Sequence, residues 1–543
     1  MENSSNLGEQ FTRQALMKII NQRKYMYKVG EILVIIAFLL IVISRFYYPL
    51  DQDLSMKLVS EIWYGDEGWN SGNAISKYLT NHWLCDGFNQ VILMPAMSLI
   101  QYSWFKAVGL SWYKVRLLYV LFSFVLIILG YLLIRNRMKK EKEAIKYVSI
   151  LSFLFLIGTN LYFYGHSRLA LYDIPMATFG MASLILLIRM LDSITFKRKA
   201  MWAFCSWTLL TTAILTKTAA VQYVVAILIF AAMHFVLNKR RITANFVLML
   251  LTAVLAATIS SGVLAILRTL YVVPDSDALY HLISDKMPTT IEQMFVSYKH
   301  LFSHDFIKNN YLLFYGSLLS MVMVFIVPFI KKERPHKIDL LLSASYISSL
   351  LFLGSIYYPY QSIRYFMVLP LPMIYFVSLL PSVIGSLHPT ASKAFSSVGV
   401  GIIILFLLFA NKWNSMELAR YFTAPKTTMI TSIARGIEKD IANDAASNNY
   451  SLTPLLINSL FGSTFAADNH MPFRYFIPAK RNKYEYIFSH YKFGPTTNRD
   501  PYGKDRDWPY DGKYLDFTKL HIIKIYKVPL NDTEVGYLFR QDL

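Results

Sequence analysis

The sequence predicts an all-α polytopic membrane bundle of about eleven transmembrane helices, followed by a small extracytoplasmic α/β domain. Three observations lead to this fold class. Of the 543 residues, 55% are hydrophobic and only 16% are charged, whereas soluble proteins carry about 25% charged residues. The mean hydropathy is +0.38. The apolar residues also form separate blocks of roughly eighteen residues or more, the length that a membrane-spanning helix requires.

Each apolar block can cross the hydrocarbon layer as a helix, which satisfies its own backbone hydrogen bonds. The chain divides on this basis into a basic cytoplasmic segment at 1–28, a transmembrane domain at 29–413 and a water-facing domain at 414–543. We expect the spans near 29–48, 117–134, 145–163, 171–190, 200–217, 219–237, 245–266, 311–330, 338–357, 365–381 and 396–413.

The distribution of Lys and Arg predicts the orientation, because cytoplasmic loops of membrane proteins are enriched in these residues. Every second loop is basic, at 13–28, 135–142, 197–199, 239–241 and 331–337. The net charge of +20 therefore reflects topology. It does not indicate a nucleic-acid partner, because the charge is dispersed over several loops. We expect a multi-pass protein of the plasma membrane, most simply a bacterial inner or cell membrane.

The loops on the other side are unequal in length, and two of them are long, at about 49–116 and 267–310. No apolar block of spanning length follows residue 414. Isoleucines at helical spacing predict a helix at 427–445 in this last domain. The strand candidates are Pro454–Asn458, Tyr484–Phe488, His521–Val528 and Val535–Arg540.

The first outside loop carries two adjacent carboxylates, Asp66 and Glu67, before a predicted amphipathic surface helix that includes Ala74 and Ile75. A carboxylate at the membrane boundary can act as a general base towards an acceptor hydroxyl, and partial burial raises its pKa. The structural alternative for the pair is a helix cap in a solvated loop.

Several cations are expected on the same outside face. Each has a structural alternative: an interfacial ion pair for Arg168 with Asp173, a snorkelling side chain for Lys217, and an aromatic-belt anchor for Arg364 with Tyr365. Taken together, cations at the level of the headgroups suit a lipid phosphate. The residues of this set are Arg116, Arg168, Asp173, Lys217, Arg364 and Tyr365.

The order of these motifs resembles the GT-C superfamily of membrane glycosyltransferases, in particular the protein O-mannosyltransferases and the aminoarabinose transferases that act on lipid A. The resemblance covers about 29–380. One departure is Thr218, which stands where the family pattern has a glycine. The matching positions are Asp66-Glu67, Phe105 to Ser111, Arg116-Leu117, Asp173-Ile174-Pro175, Thr216-Lys217-Thr218, and Arg364-Tyr365 before Leu369-Pro370-Leu371-Pro372.

The resemblance implies a polyprenyl-phosphate sugar donor and a glycan, lipid or protein acceptor on the extracytoplasmic side, with membrane lipids around the bundle. It implies that Asp66 is the general base, with inversion at the anomeric carbon, and that Lys217 and Arg364 hold the departing phosphate. Glu67, Arg116, Arg168 and Asp173 would position these groups. No cofactor is certain, but a divalent metal ion could use His82 and Asp86 of the first loop; the structural alternative is a solvated loop.

Two other classes of function remain open. A membrane transporter or lipid flippase would use the same bundle, although repeated halves and broken midplane helices are not evident in the sequence. A non-catalytic scaffold would use the C-terminal domain to bind a partner. The two cysteines do not indicate a disulfide, because Cys85 lies in the first outside loop and Cys205 within the fifth span.

Overall fold

The computed structural model describes 27–47, 64–81, 83, 94–237, 242–270, 287–387 and 405–423 of the membrane domain. In the C-terminal part it describes 455–458, 473–474, 486–489, 520–527, 534–541 and a helical stretch at 436–447 with gaps at 438, 442 and 445.

The helices are α1 Tyr27–Tyr47, α2 Tyr64–Thr80, α3 Pro95–Val108, α4 Trp112–Arg137, α5 Glu143–Thr159, α6 Leu161–His166, α7 Asp173–Asp192, α8 Phe196–Thr216, α9 Val221–Leu237, α10 Ala244–Leu270, α11 Ile291–Ser303, α12 Asp305–Asn309, α13 Tyr311–Ile330, α14 Lys337–Gly354, α15 Pro370–Ser378, α16 Leu380–Leu387 and α17 Lys412–Thr423.

The chain is a multi-pass membrane protein. Within the described ranges, seven helices are long and apolar enough to cross a membrane, namely α1, α4, α7, α9, α10, α13 and α14. Helices α5, α8 and α15 also lie where spans are predicted, but they are shorter or less apolar. The total of eleven spans therefore stays a prediction, and part of the last predicted span, 396–404, lies outside the described residues.

Two predicted spans differ from the observed helices, and local side chains explain both differences. The predicted span at 145–163 ends early, at Thr159, because the side chain of Asn160 accepts a hydrogen bond from the backbone N–H of Phe163 and so starts α6. The predicted span at 365–381 begins with a 3-10 helix, Ile363–Val368, before α15. Proline lacks a backbone N–H and is well accommodated at the start of a helix, so Pro370 begins a new one.

One end of the bundle carries α2, α3, α11 and α12, and we call it the loop face. Four buried asparagines join the helix ends there. Asn310 accepts hydrogen bonds from Asn160 and Asn414, and Asn414 also donates to Asn411. Hydrogen bonding between polar side chains is a common way to join helices in an apolar environment. The cluster fixes the ends of α5, α13 and α17 against one another.

The C-terminal part forms a five-stranded mixed sheet. Its strands are β1 Leu455–Asn458, β2 Phe473–Arg474, β3 Tyr486–Ser489, β4 Leu520–Lys527 and β5 Glu534–Gln541. The order is β2-β1-β3-β5-β4, with β1 parallel to both neighbours and the other pairs antiparallel. All four predicted strands are confirmed, and the short β2 is an addition. The described helical stretch at 436–447 overlaps the predicted helix at 427–445 and ends two residues beyond it. The first nine residues of the predicted helix, 427–435, are outside the described part of the chain.

The helix at 436–447 and the sheet contact the first-loop helices. Asp440 accepts hydrogen bonds from Lys524 and Tyr526, which fixes the helix to β4. One buried apolar cluster then joins this unit to α2, α3 and the start of α4; it includes Ile75, Phe105, Trp112, Tyr172, Ile437, Ile441, Tyr526 and Leu538. The C-terminal domain therefore packs against the loop face.

Candidate functional site

A buried ion pair joins the two ends of a helical hairpin at the loop face. Helices α7 and α8 are antiparallel and share hydrogen bonds between Ser183 and Ser206, so Asp173 at the start of α7 lies beside Lys217, which follows α8. The Nζ atom of Lys217 is 2.5 Å from a carboxylate oxygen of Asp173. Asp173 is 2% exposed and Lys217 is 8% exposed. The snorkelling interpretation of Lys217 is therefore wrong, and the partner of Asp173 in this contact is Lys217 rather than Arg168.

The ring of Tyr365 contacts both Lys217 and a second cation, Arg364. The 3-10 helix that carries Arg364 and Tyr365 packs against α7. The Nζ atom of Lys217 is 5.0 Å from the centre of the Tyr365 ring, and Cζ of Arg364 is 5.2 Å from the same centre. Aromatic rings attract cations at such distances. Tyr365 is buried and Arg364 is half-buried, so two positive groups share one ring near the surface of the loop face.

His166 is a site residue that the sequence analysis missed. It ends α6, which packs against the Arg364 segment. Its Nδ1 atom is 2.8 Å from the carbonyl oxygen of Tyr162. Because a carbonyl only accepts, the hydrogen is on Nδ1 and Nε2 is left as an acceptor. Nε2 is buried and has no hydrogen-bond partner in the described part of the chain.

The electrostatic environment keeps His166 neutral. Burial lowers the pKa of His166 from 6.5 to about 4, and the nearby Lys217 and Arg364 act in the same direction, while the Tyr162 carbonyl and Asp173 oppose them. These influences show that the imidazole lies near the Lys217–Asp173 pair and Arg364. A neutral acceptor among charged groups can receive a hydrogen bond from a ligand hydroxyl.

Arg168 lies in a second group of aromatic and basic residues. It is 1% exposed, and its Nη1 atom donates to the hydroxyl of Tyr164 at 2.7 Å. The face of Tyr164 also carries Arg45, whose Cζ atom is 4.6 Å from the ring centre. Arg45 was not predicted as a site residue because it lies near the end of a predicted span, where a single arginine commonly marks the membrane boundary.

Arg116 lies near the start of α4. It is 2% exposed, and its Cζ atom is 5.1 Å from the centre of the Trp112 ring. The motif that precedes Arg116, Phe105 to Ser111, has a local structural role. Gly109 has a φ of 83° at the end of α3, a conformation that favours glycine, and the Ser111 side chain accepts a hydrogen bond from Lys114 N to cap α4.

The helix with the paired acids is anchored beside the Arg168–Asp173 segment. Asn70 of α2 donates to the carbonyl oxygen of Ala170 at 3.2 Å, and its own carbonyl accepts from the hydroxyl of Tyr172. Asp66 and Glu67 lie in the first turn of α2, so the helix begins before them rather than after them as predicted. Their side chains are outside the described part of the structure, as are His82, Cys85 and Asp86.

The structure thus brings together Asp173, Lys217, Arg364 and Tyr365, with His166 added. Arg168 lies two residues along the chain from His166, in the separate group around Tyr164. The side chains that the structure describes contain no cluster of three or more His, Cys, Asp or Glu that could bind a metal ion. The arrangement can bind a phosphate through two cations and a hydroxyl group through a neutral imidazole.

The fold is similar to that of known membrane enzymes. One is the archaeal oligosaccharyltransferase AglB from Archaeoglobus fulgidus, solved with an inhibitory peptide and a dolichol-phosphate, with a TM-score of 0.51 and 13% identity over 82% of this chain. This chain spans 64% of that protein, less than two thirds of its length. Another is ArnT from Cupriavidus metallidurans bound to undecaprenyl phosphate, with a TM-score of 0.52 and 12% identity, covering 81% of this chain and 84% of ArnT.

No family model and no curated protein sequence matches the chain. The two structural neighbours are both GT-C membrane glycosyltransferases. At these identities the likeness concerns the fold. The chain is therefore a multi-pass membrane protein whose fold is similar to those of AglB and ArnT, in agreement with the resemblance that the order of its motifs indicates.

Proposed function

We propose that this protein is a membrane glycosyltransferase that moves a sugar from a polyprenyl phosphate to an acceptor hydroxyl on the extracytoplasmic side. The observation that carries the proposal is the pair of cations on the Tyr365 ring, at the loop face of a GT-C fold. Two neighbours with this fold were solved with dolichol-phosphate and undecaprenyl phosphate. The same class of carrier fits a site that is positively charged and borders the membrane.

Lys217 and Arg364 would hold the phosphate that leaves when the glycosidic bond breaks. Negative charge grows on that phosphate in the transition state, so preorganised cations accelerate the reaction. Asp173 fixes the position of Lys217 at 2.5 Å before any ligand binds. The phosphate would then share the ammonium group with Asp173 and accept hydrogen bonds from the guanidinium of Arg364.

Asp66 is the proposed general base, and Glu67 its positioning partner. Helix α2 carries both, and Asn70, one turn further along, is fixed to the backbone of the Arg168–Asp173 segment. A base there would take the proton of the acceptor hydroxyl as the new bond forms. Attack from the side opposite the phosphate would invert the anomeric carbon. Arg116 of α4 and Arg168 of the turn before α7 would position these groups.

The test uses the full chain purified in detergent. Bound lipid is identified by mass spectrometry, and sugar transfer is measured with a panel of polyprenyl-phosphate hexoses and pentoses. A co-purified polyprenyl phosphate together with release of sugar from one donor supports the proposal. The flippase alternative predicts movement of the donor across reconstituted vesicles with the glycosidic bond intact, and that result would reject the transferase.

A further inference from the structure

A buried glutamine joins three segments of the loop face just before Arg364 in the chain. Gln361 is 4% exposed. Its Nε2 atom is 3.0 Å from the carbonyl oxygen of Ser297 in α11, 3.1 Å from that of Leu353 in α14 and 3.0 Å from that of Ile356, just after α14. A single amide group therefore holds α11, the end of α14 and the segment that carries Arg364 together.

Two histidines bind the oxygen atoms of Gln361. The Nδ1 atom of His300 is 2.9 Å from Oε1, which only accepts, so this nitrogen carries the hydrogen. The Nδ1 atom of His304 accepts a hydrogen bond from the backbone N–H of Phe306 at 3.1 Å. The Nε2 atom of His304 therefore carries the hydrogen and donates it to the main-chain carbonyl of Gln361 at 3.0 Å. Both polar atoms of the Gln361 side chain are thus satisfied in one orientation of the amide.

The segment with Arg364 and Tyr365 is held from both sides by His304, which lies between α11 and α12. Gln361 precedes Arg364 by three residues, and Phe366 directly follows Tyr365. The ring of Phe366 stacks on the imidazole of His304, with 4.2 Å between the ring centres. The backbone between these contacts is part of a 3-10 helix, whose hydrogen bonds have poorer geometry than those of an α-helix. The position of the segment therefore depends on its contacts with α11 and α12 as well as on its own hydrogen bonds.

The placement of Arg364 relative to Lys217 matters for a phosphate that contacts both. Lys217 is fixed by its ion pair with Asp173. Arg364 shares the ring of Tyr365 with Lys217, but its backbone belongs to a different part of the chain. A small shift of that backbone would move the guanidinium away from a phosphate that the ammonium group holds, and binding groups are effective only in the correct geometry.

We propose that Gln361 is a positioning residue for Arg364, which holds the guanidinium at the distance from Lys217 that one phosphate requires. The inference rests on the proposed function, because it concerns the same phosphate site. The amide of Gln361 is occupied by α11 and α14, so its effect on the phosphate should pass through Arg364.

The test is a double-mutant cycle on the affinity of the purified full-length protein for undecaprenyl phosphate. The variants are Arg364→Gln, the combination of both substitutions, and Gln361→Met, which keeps the length of the side chain but lacks the amide. The matched control is Gln293→Met. It removes a second glutamine of the same loop, whose Oε1 atom accepts hydrogen bonds from Thr289 near the start of α11.

The cycle separates positioning from a general effect on the fold. Gln361→Met should bind ~3-fold or more weakly than wild type, since a lost hydrogen bond typically costs a factor of this size. The loss should not exceed that of Arg364→Gln, because a positioning residue cannot remove more binding than the group it positions. In the Arg364→Gln background, Gln361→Met should change the affinity by less than ~2-fold, the usual limit for sites that no longer interact. Gln293→Met should bind like wild type.

A second variant decides if Gln361→Met does not fold. His300→Phe keeps an aromatic ring beside Tyr358 but removes the hydrogen bond to Oε1 of Gln361, and it should weaken binding only when Arg364 is present. Wild-type affinity of the variant tested, or an equal loss in both backgrounds, would overturn the positioning role and leave the phosphate site intact. Wild-type affinity of Arg364→Gln would instead reject the phosphate site, and the positioning role with it.

Discussion

The ammonium group of Lys217 lies 2.5 Å from a carboxylate oxygen of Asp173, and both side chains are buried where α7 begins and α8 ends. On α7, fifteen uncharged residues (174–188) separate Asp173 from Arg189, and on α8, seventeen uncharged residues (200–216) separate Lys199 from Lys217. The pair therefore neutralises the two charges at one end of the hairpin. The same ammonium group faces the ring of Tyr365. This contact therefore links the hairpin of α7 and α8 to the segment that carries Arg364, and it predicts how substitutions there should behave.

Substitution of Lys217 alone should destabilise the protein. Lys217→Met leaves the Asp173 carboxylate buried without its cation, and breaking a buried pair in this way costs about 3–5 kcal/mol. The double variant Asp173→Asn with Lys217→Met should recover most of that loss, because no unpaired charge remains. Thermal unfolding in detergent measures both. A double variant no more stable than Lys217→Met would show that the pair does not determine the stability of the hairpin.

Substitution of Asp66 should affect turnover more than folding. Asparagine has nearly the shape of aspartate but cannot accept the acceptor's proton, so Asp66→Asn should lower the rate per folded molecule by about 10²–10⁴-fold. Glu67→Gln should have a smaller effect if Glu67 only positions the base. If Asp66 only stabilised the first turn of α2 instead, its loss would reduce stability by about 1 kcal/mol or less and leave the rate within a few-fold of wild type.

His166 should make the protein sensitive to mild acid. Because burial lowers its pKa from 6.5 to about 4, the unfolded chain binds a proton here that the folded chain does not bind between these values. Stability should therefore fall as the pH decreases from about 6.5 towards 4, by up to ~1.4 kcal/mol per pH unit. His166→Asn should flatten this part of the profile, whereas the exposed His521→Asn should not. Parallel profiles for wild type and His166→Asn would contradict the assignment.

The orientation predicted from the basic loops is testable with reporters. An enzyme reporter that is active only outside the cytoplasm should be active when fused after Leu543 and inactive when fused after Lys140. The reason is that the basic loop at 135–142 is retained on the cytoplasmic side. Activity of the Lys140 fusion alone would invert the topology and place the loop face in the cytoplasm.

The elements of the fold follow largely from local sequence. The predicted strand His521–Val528 and the observed Leu520–Lys527 differ by one residue at each end, because the apolar and turn residues that define a short strand are adjacent in the chain. The boundary at Lys217, between the fifth and sixth predicted spans, was also predicted where the structure has it. Breaks inside apolar blocks were missed, because the cap by Asn160 and the restart at Pro370 do not alter the mean hydropathy of the block.

The candidate site was only partly predictable. Asp173, Lys217 and Arg364 were identified because charged residues near the ends of spans are conspicuous. Lys217 and Arg364 meet at the ring of Tyr365 through a contact between segments 148 residues apart in the chain, which no local pattern specifies. His166 and Arg45 were missed for the same reason. A single histidine after a tyrosine-rich stretch, or a single arginine ending a span, is unremarkable until its neighbours and its burial are known.

The most direct test of the central claim is the affinity for undecaprenyl phosphate of wild-type protein and of the Arg364→Gln variant, with Arg420→Gln as the control. Arg364 is half-buried on the Tyr365 ring, whereas the Arg420 side chain is 67% exposed beside Glu417. We expect wild type and Arg420→Gln to bind equally, and Arg364→Gln to bind at least ~10-fold more weakly, since a charge-assisted hydrogen bond to the phosphate is lost. Equal affinity in all three proteins, or no binding to wild type, would contradict the claim that this site holds a polyprenyl phosphate.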